Sequence, residues 1–151
     1  IREGYIIYLD MVDSPQSIKV ISRVGYRIPA YCTAIGKAQL AFESADELDK
    51  VYRGKALKSF TPNTIADLQS LKEELATVAG KGYALDNEEY EKEIKCLGVP
   101  IRDYTRRVVA GICISGPAYR MSDERINNTL IPLIKEAGKN ISNRLGFSDR
   151  D

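Results

Sequence analysis

The chain contains no histidine. That absence removes the commonest general base, the Ser–His and Cys–His nucleophile pairs and every imidazole metal site, so most hydrolase mechanisms are disfavoured. Cysteine is also scarce. There are three in 151 residues, at 32, 96 and 113, an odd count with wide spacings that fits neither a secreted disulfide framework nor a zinc motif. A reducing cytoplasm is the expected compartment. No apolar run approaches the roughly 18 residues of a membrane-spanning helix, and no basic-then-apolar leader opens the chain. Charge of one sign is missing too: 22 Lys plus Arg face 21 Asp plus Glu, a formal net charge of +1. Without a long basic run there is no nucleic-acid footprint. What remains suits one domain over residues 1–151, large enough to bury roughly 68–70% of its unfolded surface without disulfide or metal. The Ile1-Arg2 start reads as a cut through a longer protein.

The richest stretch is 83–117, where an acidic segment runs into two apolar runs, Ile94–Ile101 and Arg107–Ser115, joined by a polar connection centred on Tyr104-Thr105. Two β-rich runs joined that tightly signal an antiparallel hairpin. A two-residue turn at Tyr104-Thr105 pairs Ile94 with Ser115, Cys96 with Cys113, Gly98 with Gly111 and Pro100 with Val109, all on one face. The other face carries Leu97, Val99 and Ile101 against Val108, Ala110, Ile112 and Ile114, an apolar surface that helices must cover. The small, mildly polar face has two readings. Small side chains leave a concavity, and two thiols and a hydroxyl give the few convergent polar groups of a ligand pocket; equally, Cys and Gly mark a tightly packed second layer.

Elsewhere the order of elements is α+β. Gly4–Asp13 and Ser17–Val24 read as strands of a first hairpin about the Asp13-Ser14-Pro15 turn signal, broken by Gly25–Pro29. Thr33 then caps a short helix over 34–41, Ser44 caps a second over 45–52, and Thr64 caps a third over 65–79 that Gly80 and Gly82 terminate. In the second helix Asp46 and Glu47 complement the dipole, and in the third Ile65, Leu68, Leu71, Leu75 and Val78 form an apolar stripe. A last helix starts at Ser122-Asp123, runs to about Arg144 and stops at Gly146. The start of the first helix, bounded by small residues and followed by Lys37, reads either as an anion site built from free N–H groups with a cation nearby or as an ordinary capped helix packed on the sheet. It lacks the spacing of a Walker loop. The acidic stretch from Asp86 to Glu93 fails the calcium-loop pattern because Tyr90 takes a ligand position and the central glycine is absent. Glu88, Glu91 and Glu93 read as solvated charge, whereas Asp86 follows the Tyr83-Ala84-Leu85 strand and either reaches the pocket rim or caps the turn. No metal or cofactor is expected.

Four ordered motifs, Thr33-Ala34-Ile35-Gly36-Lys37-Ala38-Gln39-Leu40-Ala41, Gly82-Tyr83-Ala84-Leu85-Asp86-Asn87-Glu88-Glu89, Cys96-Leu97-Gly98-Val99-Pro100-Ile101 and Ala110-Gly111-Ile112-Cys113-Ile114-Ser115-Gly116-Pro117 followed by Arg120, make nearly the whole chain resemble the effector-binding domain of the IclR family of bacterial transcriptional regulators. The resemblance implies a curved antiparallel sheet with flanking helices, similar to GAF and PAS folds, in a non-enzymatic domain. It implies a small organic acid or aromatic effector and self-association as a dimer or tetramer. DNA contact would come only through an N-terminal winged helix-turn-helix missing from this chain, and no membrane would be involved. It further implies that the effector carboxylate is held by backbone amides at Ala34-Ile35 and by side chains at Asp86, Cys96, Cys113 and Ser115, with Val20, Ile28 and Ile94 shaping the rest. Two departures stand out. Cys113 occupies a position where the family usually has serine, a stronger hydrogen-bonding group, and Glu93 and Arg106 stand where it often has glycine, so that a positive φ there would strain them. Two other functions compete with effector sensing: a thiol redox sensor using Cys96 and Cys113, whose Cα atoms would be about 4.5 Å apart in a non-hydrogen-bonded pair, and a ligand-free dimerisation module.

Overall fold

A computed structural model describes residues 1–148. The chain folds as α+β. A three-stranded antiparallel sheet, β3 (Ala84–Asn87), β4 (Ile94–Arg102) and β5 (Val108–Pro117), carries β4 in the centre. A second, two-stranded antiparallel sheet joins β1 (Tyr5–Ile7) to β2 (Arg27–Pro29). The helices are α1 (Ala34–Leu40), α2 (Ala45–Tyr52), α3 (Leu68–Lys81), α4 (Asp123–Arg125) and α5 (Ile131–Arg144), with a π turn, Ile126–Leu130, between the last two.

The apolar face of the long hairpin is covered by helices. Leu97, Val99, Ile126, Leu130 and Ile134 form one buried cluster, with Ile112 and Ile114 against it, so the sheet packs on the α4–α5 side. A second cluster, including Ile6, Ile28, Tyr52, Leu71 and Leu75, joins the small sheet to α2 and α3. Pro132 explains the π turn. It has no N–H to offer one turn back and its ring crowds that carbonyl, so the chain widens just before it instead of breaking.

The hairpin register differs from a two-residue turn by two positions. Cys96 lies opposite Ser115, Gly98 opposite Cys113 and Pro100 opposite Gly111. Two irregularities cause the slip. The Arg106 N–H bonds Asp103 O at 2.9 Å, closing a turn about Tyr104-Thr105, and Arg106 itself adopts a left-handed φ of 66° before Asp103 N–H meets Arg107 O at 3.1 Å. A shift between Ile101 and Arg102 then leaves Val109 unpaired. Each adds one residue to the β5 side, and because side chains alternate with period two, a slip of two leaves Ala110 to Ser115 on the faces they were assigned, while Val109 is unpaired and Val108 stands opposite Arg102. Pro100 is tolerated in the central strand because β3 ends its pairing at Gly98.

The first hairpin is a correction. Gly4–Asp13 does not pair with Ser17–Val24; only Tyr5–Ile7 is strand, and its partner is Arg27–Pro29, the segment read as a break. Tyr8 N–H bonds Tyr26 O and Gly25 N–H bonds Tyr8 O, so the chain leaves at Tyr8 and returns near Gly25 through an irregular loop with Leu9, Val12, Ile18 and Ile21 exposed. Backbone hydrogen bonds to β2, rather than alternation along the loop, decide the pairing. Helix starts were partly misplaced as well. Ser44 does cap α2, accepting from Glu47 N–H at 3.2 Å, but α3 starts later than expected, with Asp67 accepting from Ser70 N–H at 2.8 Å. Thr64 instead fastens a loop, its Oγ1 accepting from Phe60 and Thr61 N–H and donating to Glu89 O. Thr33 stands at the start of α1, but its hydroxyl donates back to Pro29 O at 3.1 Å rather than capping. Gly80 lies inside α3, and Gly82, at a φ of 73°, ends it.

Glu93 and Arg106 both have left-handed φ, 63° and 66°. For an L side chain this costs about 1–2 kcal/mol, part of it offset by the extra unfolded-state freedom of glycine. Arg106→Gly is therefore expected to stabilise the domain by about 1 kcal/mol, a rise of roughly 2–4 °C in melting temperature. The Arg102 Nη1 bond to Arg106 O survives the change because it uses the backbone. An unchanged or lower melting temperature would show that side-chain contacts of Arg106 outweigh the strain.

Candidate functional site

A cavity of about 290 Å³ opens between the small-residue face of the sheet, the start of α1 and the irregular 20–26 segment. Its floor is Ile94 and Cys96 of β4 with Cys113 and Ser115 of β5, one flank is Ala34 and Ile35 of α1, Asp86 stands at the end of β3, and Val20 and Ile28 close the apolar side. All nine residues singled out in the sequence thus line one space. The two readings of the small-residue face are both realised at different heights. Gly98 and Gly111 lie directly under Ala34 and Ile35, forming the packed layer, while Cys96, Cys113 and Ser115 face the cavity beyond the helix.

Asp86 does two jobs. Its Oδ1 accepts the Glu89 N–H at 2.7 Å, holding the turn after β3, and the same carboxyl lines the cavity while only 3% exposed. Burial above all, with the Glu89 carboxylate beside it, pushes Asp86 up to about 7 against the pull of the Glu89 N–H and Lys37. Burial raises the Cys96 and Cys113 thiols as well, with Asp86 adding to both. Tyr8 is raised by burial and Tyr90 is pushed up to about 12 by burial and its hydrogen bond with Tyr26. Burial therefore keeps the Tyr8, Tyr90, Cys96 and Cys113 side chains neutral around pH 7.

Lys37 is a correction. It does not offer a cation to the cavity. Its side chain is 1% exposed and turned beneath the pocket, with Nζ 2.9 Å from Glu74 Oε1, 2.7 Å from Glu89 Oε1 and 2.7 Å from Leu85 O. Glu89, which belongs to the acidic stretch but has no role assigned from the sequence, is buried with it, and its Oε2 has no hydrogen-bond partner among the described residues. This ion cluster anchors the Asp86 turn to α1 and α3. The disulfide geometry is a correction too. Cys96 faces Ser115 rather than Cys113, all three cysteines are free, and thiols raised by burial hold little of the thiolate that exchange chemistry needs.

Sequence reasoning missed Tyr8, Ile21, Ser22, Arg23, Tyr26, Thr33, Tyr90 and Glu91, which also line the cavity. The aromatic spacing around 5–8 and 26 was visible, but their convergence depends on the long return loop, which alternation misread as a strand.

A buried carboxyl whose folded value lies near 7 instead of 3.8 makes stability pH-dependent. The unfolded chain releases the proton near 4 and the folded chain keeps it until about 7, so ΔG of unfolding falls as pH rises through that window. Asp86→Asn retains the acceptor for Glu89 N–H and removes the titration. Its stability should fall less steeply than the parent's between pH 5 and 8, the remaining slope belonging to the raised Glu89 carboxyl, and should lie about 2–4 kcal/mol above the parent at pH 8. Urea unfolding at both pH values measures this, and parallel slopes in the two proteins would refute it.

The comparisons with known proteins come to the same place. The family described as bacterial transcriptional regulator IclR C-terminal matches residues 1–143. The chain is 37% identical over 147 residues to the HTH-type transcriptional regulator KdgR of Escherichia coli K12, covering 97% of this chain and 56% of that protein. It is 34% identical to XynR of the same organism, covering 97% and 57%. The crystal structure of the Thermotoga maritima IclR superposes with a TM-score of 0.90 at 41% identity, over 97% of this chain and 59% of that one. The chain thus spans about half the length of the curated relatives it matches. With the fold shared and the family match running almost end to end, the chain belongs to the IclR family of bacterial transcriptional regulators as its C-terminal, effector-binding domain.

Proposed function

We propose that the domain senses a small organic acid inside a cytoplasmic DNA-binding transcriptional regulator, and that the acid occupies the cavity between α1 and the β4–β5 floor. The observation that carries the reading is the convergence of Ala34, Ile35, Asp86, Cys96, Cys113 and Ser115 on one enclosure of about 290 Å³, closed on its other side by Val20, Ile28 and Ile94. A largely apolar wall with a few directed polar groups suits a small ligand. The first-turn N–H groups of Ala34 and Ile35 have no helical acceptor, and both residues line the same cavity as Ser115, Cys96 and Cys113, which favours an acceptor-rich group such as a carboxylate. Binding that differs in strength between two arrangements of α1 and the sheet would shift the self-associated protein, dimer or tetramer, and with it the N-terminal DNA-binding domains.

A thermal-shift screen against small carboxylates, repeated with Ser115→Ala, tests the reading. A ligand at 100 times its dissociation constant adds about 2.7 kcal/mol. Losing one hydrogen bond to a charged ligand is expected to weaken binding about 10- to 100-fold, and Ser115 faces the cavity, so the variant should keep its own melting temperature. No shift across the panel, or the same affinity in the variant, would remove the acid from this site and return weight to a ligand-free dimerisation module.

A further inference from the structure

The cavity already contains a carboxyl group, and this inference rests on the reading that its ligand brings another. Asp86 is buried, opposite Cys96 in the sheet and bonded by the Glu89 N–H. The titratable groups that act on it electrostatically are Tyr8 after β1, Cys32 before α1, Lys37 of α1, Glu89 after β3, Cys96 of β4 and Cys113 of β5. Lys37 is the one cation in that set, and its three N–H bonds go to Glu74, Glu89 and Leu85 O. Elsewhere on the wall the charges are Arg23 and Glu91, one of each sign. Two ionised carboxylates brought together against Asp86, with the three Lys37 N–H bonds already made elsewhere, repel strongly at low polarity. Two carboxylates that share a site solve this by sharing a proton.

We propose that the effector carboxylate binds against Asp86 with one proton held between them, so that binding draws a proton from solvent whenever Asp86 starts ionised. The balance is simple: an Asp86 carboxylate, a ligand carboxylate and one solvent proton give one carboxylic acid hydrogen-bonded to one carboxylate. Asp86 then enters the complex as a donor rather than as a second anion. The raised value of Asp86 supports this, because the proton is nearly in place before the ligand arrives. The absence of histidine makes the consequence readable, since no imidazole titrates in the same window. Burial moves Cys32, Cys96, Cys113 and Tyr8 upward, away from that window.

The test is a concentration series of pyruvate, gluconate and benzoate, all ionised from about pH 5.5 to 8.5, followed by thermal shift on this chain and on Asp86→Asn. For any acid that binds, the apparent dissociation constant should be flat below about pH 7 and rise about tenfold per pH unit above it. In Asp86→Asn the slope should vanish. Calorimetry of the parent in two buffers of different ionisation heat, at pH 8, should count close to one proton taken up, and this holds even if the variant fails to fold. Binding of equal strength across the range would overturn the shared proton and leave acid sensing intact. A slope that survives in a folded Asp86→Asn would overturn it as well, assigning the proton to Glu89. No stabilisation by any of the three at any pH would count against acid sensing itself, and the shared proton would fall with it.

Discussion

Lys37→Met is expected to destabilise the domain by about 3–5 kcal/mol, because it leaves a buried carboxylate and a buried carbonyl without their shared donor. The methionine matches the volume of the lysine stem, so the loss is electrostatic rather than a cavity effect. Glu89 Oε1 loses its charged partner at 2.7 Å and keeps only the long Asn87 N–H contact at 3.4 Å, while Oε2 already has none among the described residues, and Leu85 O loses a bond of 2.7 Å. Glu74 suffers less, being one-third exposed and able to turn to water. The variant should also respond to pH with a defined sign. Burial already raises Glu89 in the parent against the lowering pull of Lys37, and removing Lys37 raises it further. A carboxyl with a raised folded value disfavours folding as pH rises through that value, so the defect should be largest at pH 8 and shrink as Glu89 protonates in acid. Urea unfolding at pH 5 and 8 measures both effects. The double variant Lys37→Met/Glu89→Gln should recover much of the loss, since removing both members of a buried pair is far milder than removing one. A single variant within about 1 kcal/mol of the parent at pH 8 would show that water reaches Glu89.

The parts of this fold that were legible in the sequence are those where local chemistry and tertiary packing agree. Ser44 with Asp46 and Glu47 places α2 to the residue, and the alternation of Ile94–Ile101 against Arg107–Ser115 separates core from cavity. That separation survived an incorrect register only because the Arg106 and Val109 irregularities add up to two residues; either alone would have put Cys113 and Ser115 on the opposite face from Cys96. The illegible parts are those decided by distant neighbours. Val20 to Val24 alternates like a strand, yet its neighbours leave it as an irregular cavity wall. Lys37 sits in an amphipathic helix where a lysine ordinarily faces water, and Glu74, Leu85 O and Glu89, 37, 48 and 52 residues later, account for its burial. Thr33 and Thr64 resemble helix caps, but their hydroxyls bond to Pro29 and Glu89. The partners of Lys37 and Thr64 lie outside any local window of sequence, and Pro29, four residues before Thr33, is reached backwards rather than along the helix.

Gly36→Ala and Gly98→Ala should each cost about 3 kcal/mol and disable the cavity, because both glycines let backbone approach backbone around the start of α1. A Cβ on Gly36 would lie 2.2 Å from Ala30 O and 2.4 Å from Ala30 Cα, and Ala30 is fully buried. A Cβ on Gly98 would lie 2.8 Å from Ala34 C and O and 2.9 Å from Ile35 N. None of these atoms is the end of a flexible side chain, so the helix must move or the sheet must yield. The first turn of α1 is held between the Ala30 loop on one side and β4 on the other, and the space for a ligand is what remains beyond it. Moving Ala34 and Ile35 outward shifts one wall of the enclosure relative to Asp86, Cys96 and Ser115. The two variants therefore separate packing from ligand recognition in a way that Ser115→Ala does not. Ser115→Ala should lower affinity at unchanged melting temperature, whereas Gly98→Ala should lower both together. Gly80→Ala provides the control. It lies in the interior of α3 with nothing within 4 Å of its added Cβ, so it should raise stability by about 0.5–1 kcal/mol and leave binding untouched. If Gly98→Ala melted with the parent, α1 would be free to slide on the sheet, and the small-residue face would need another explanation than close packing of that helix.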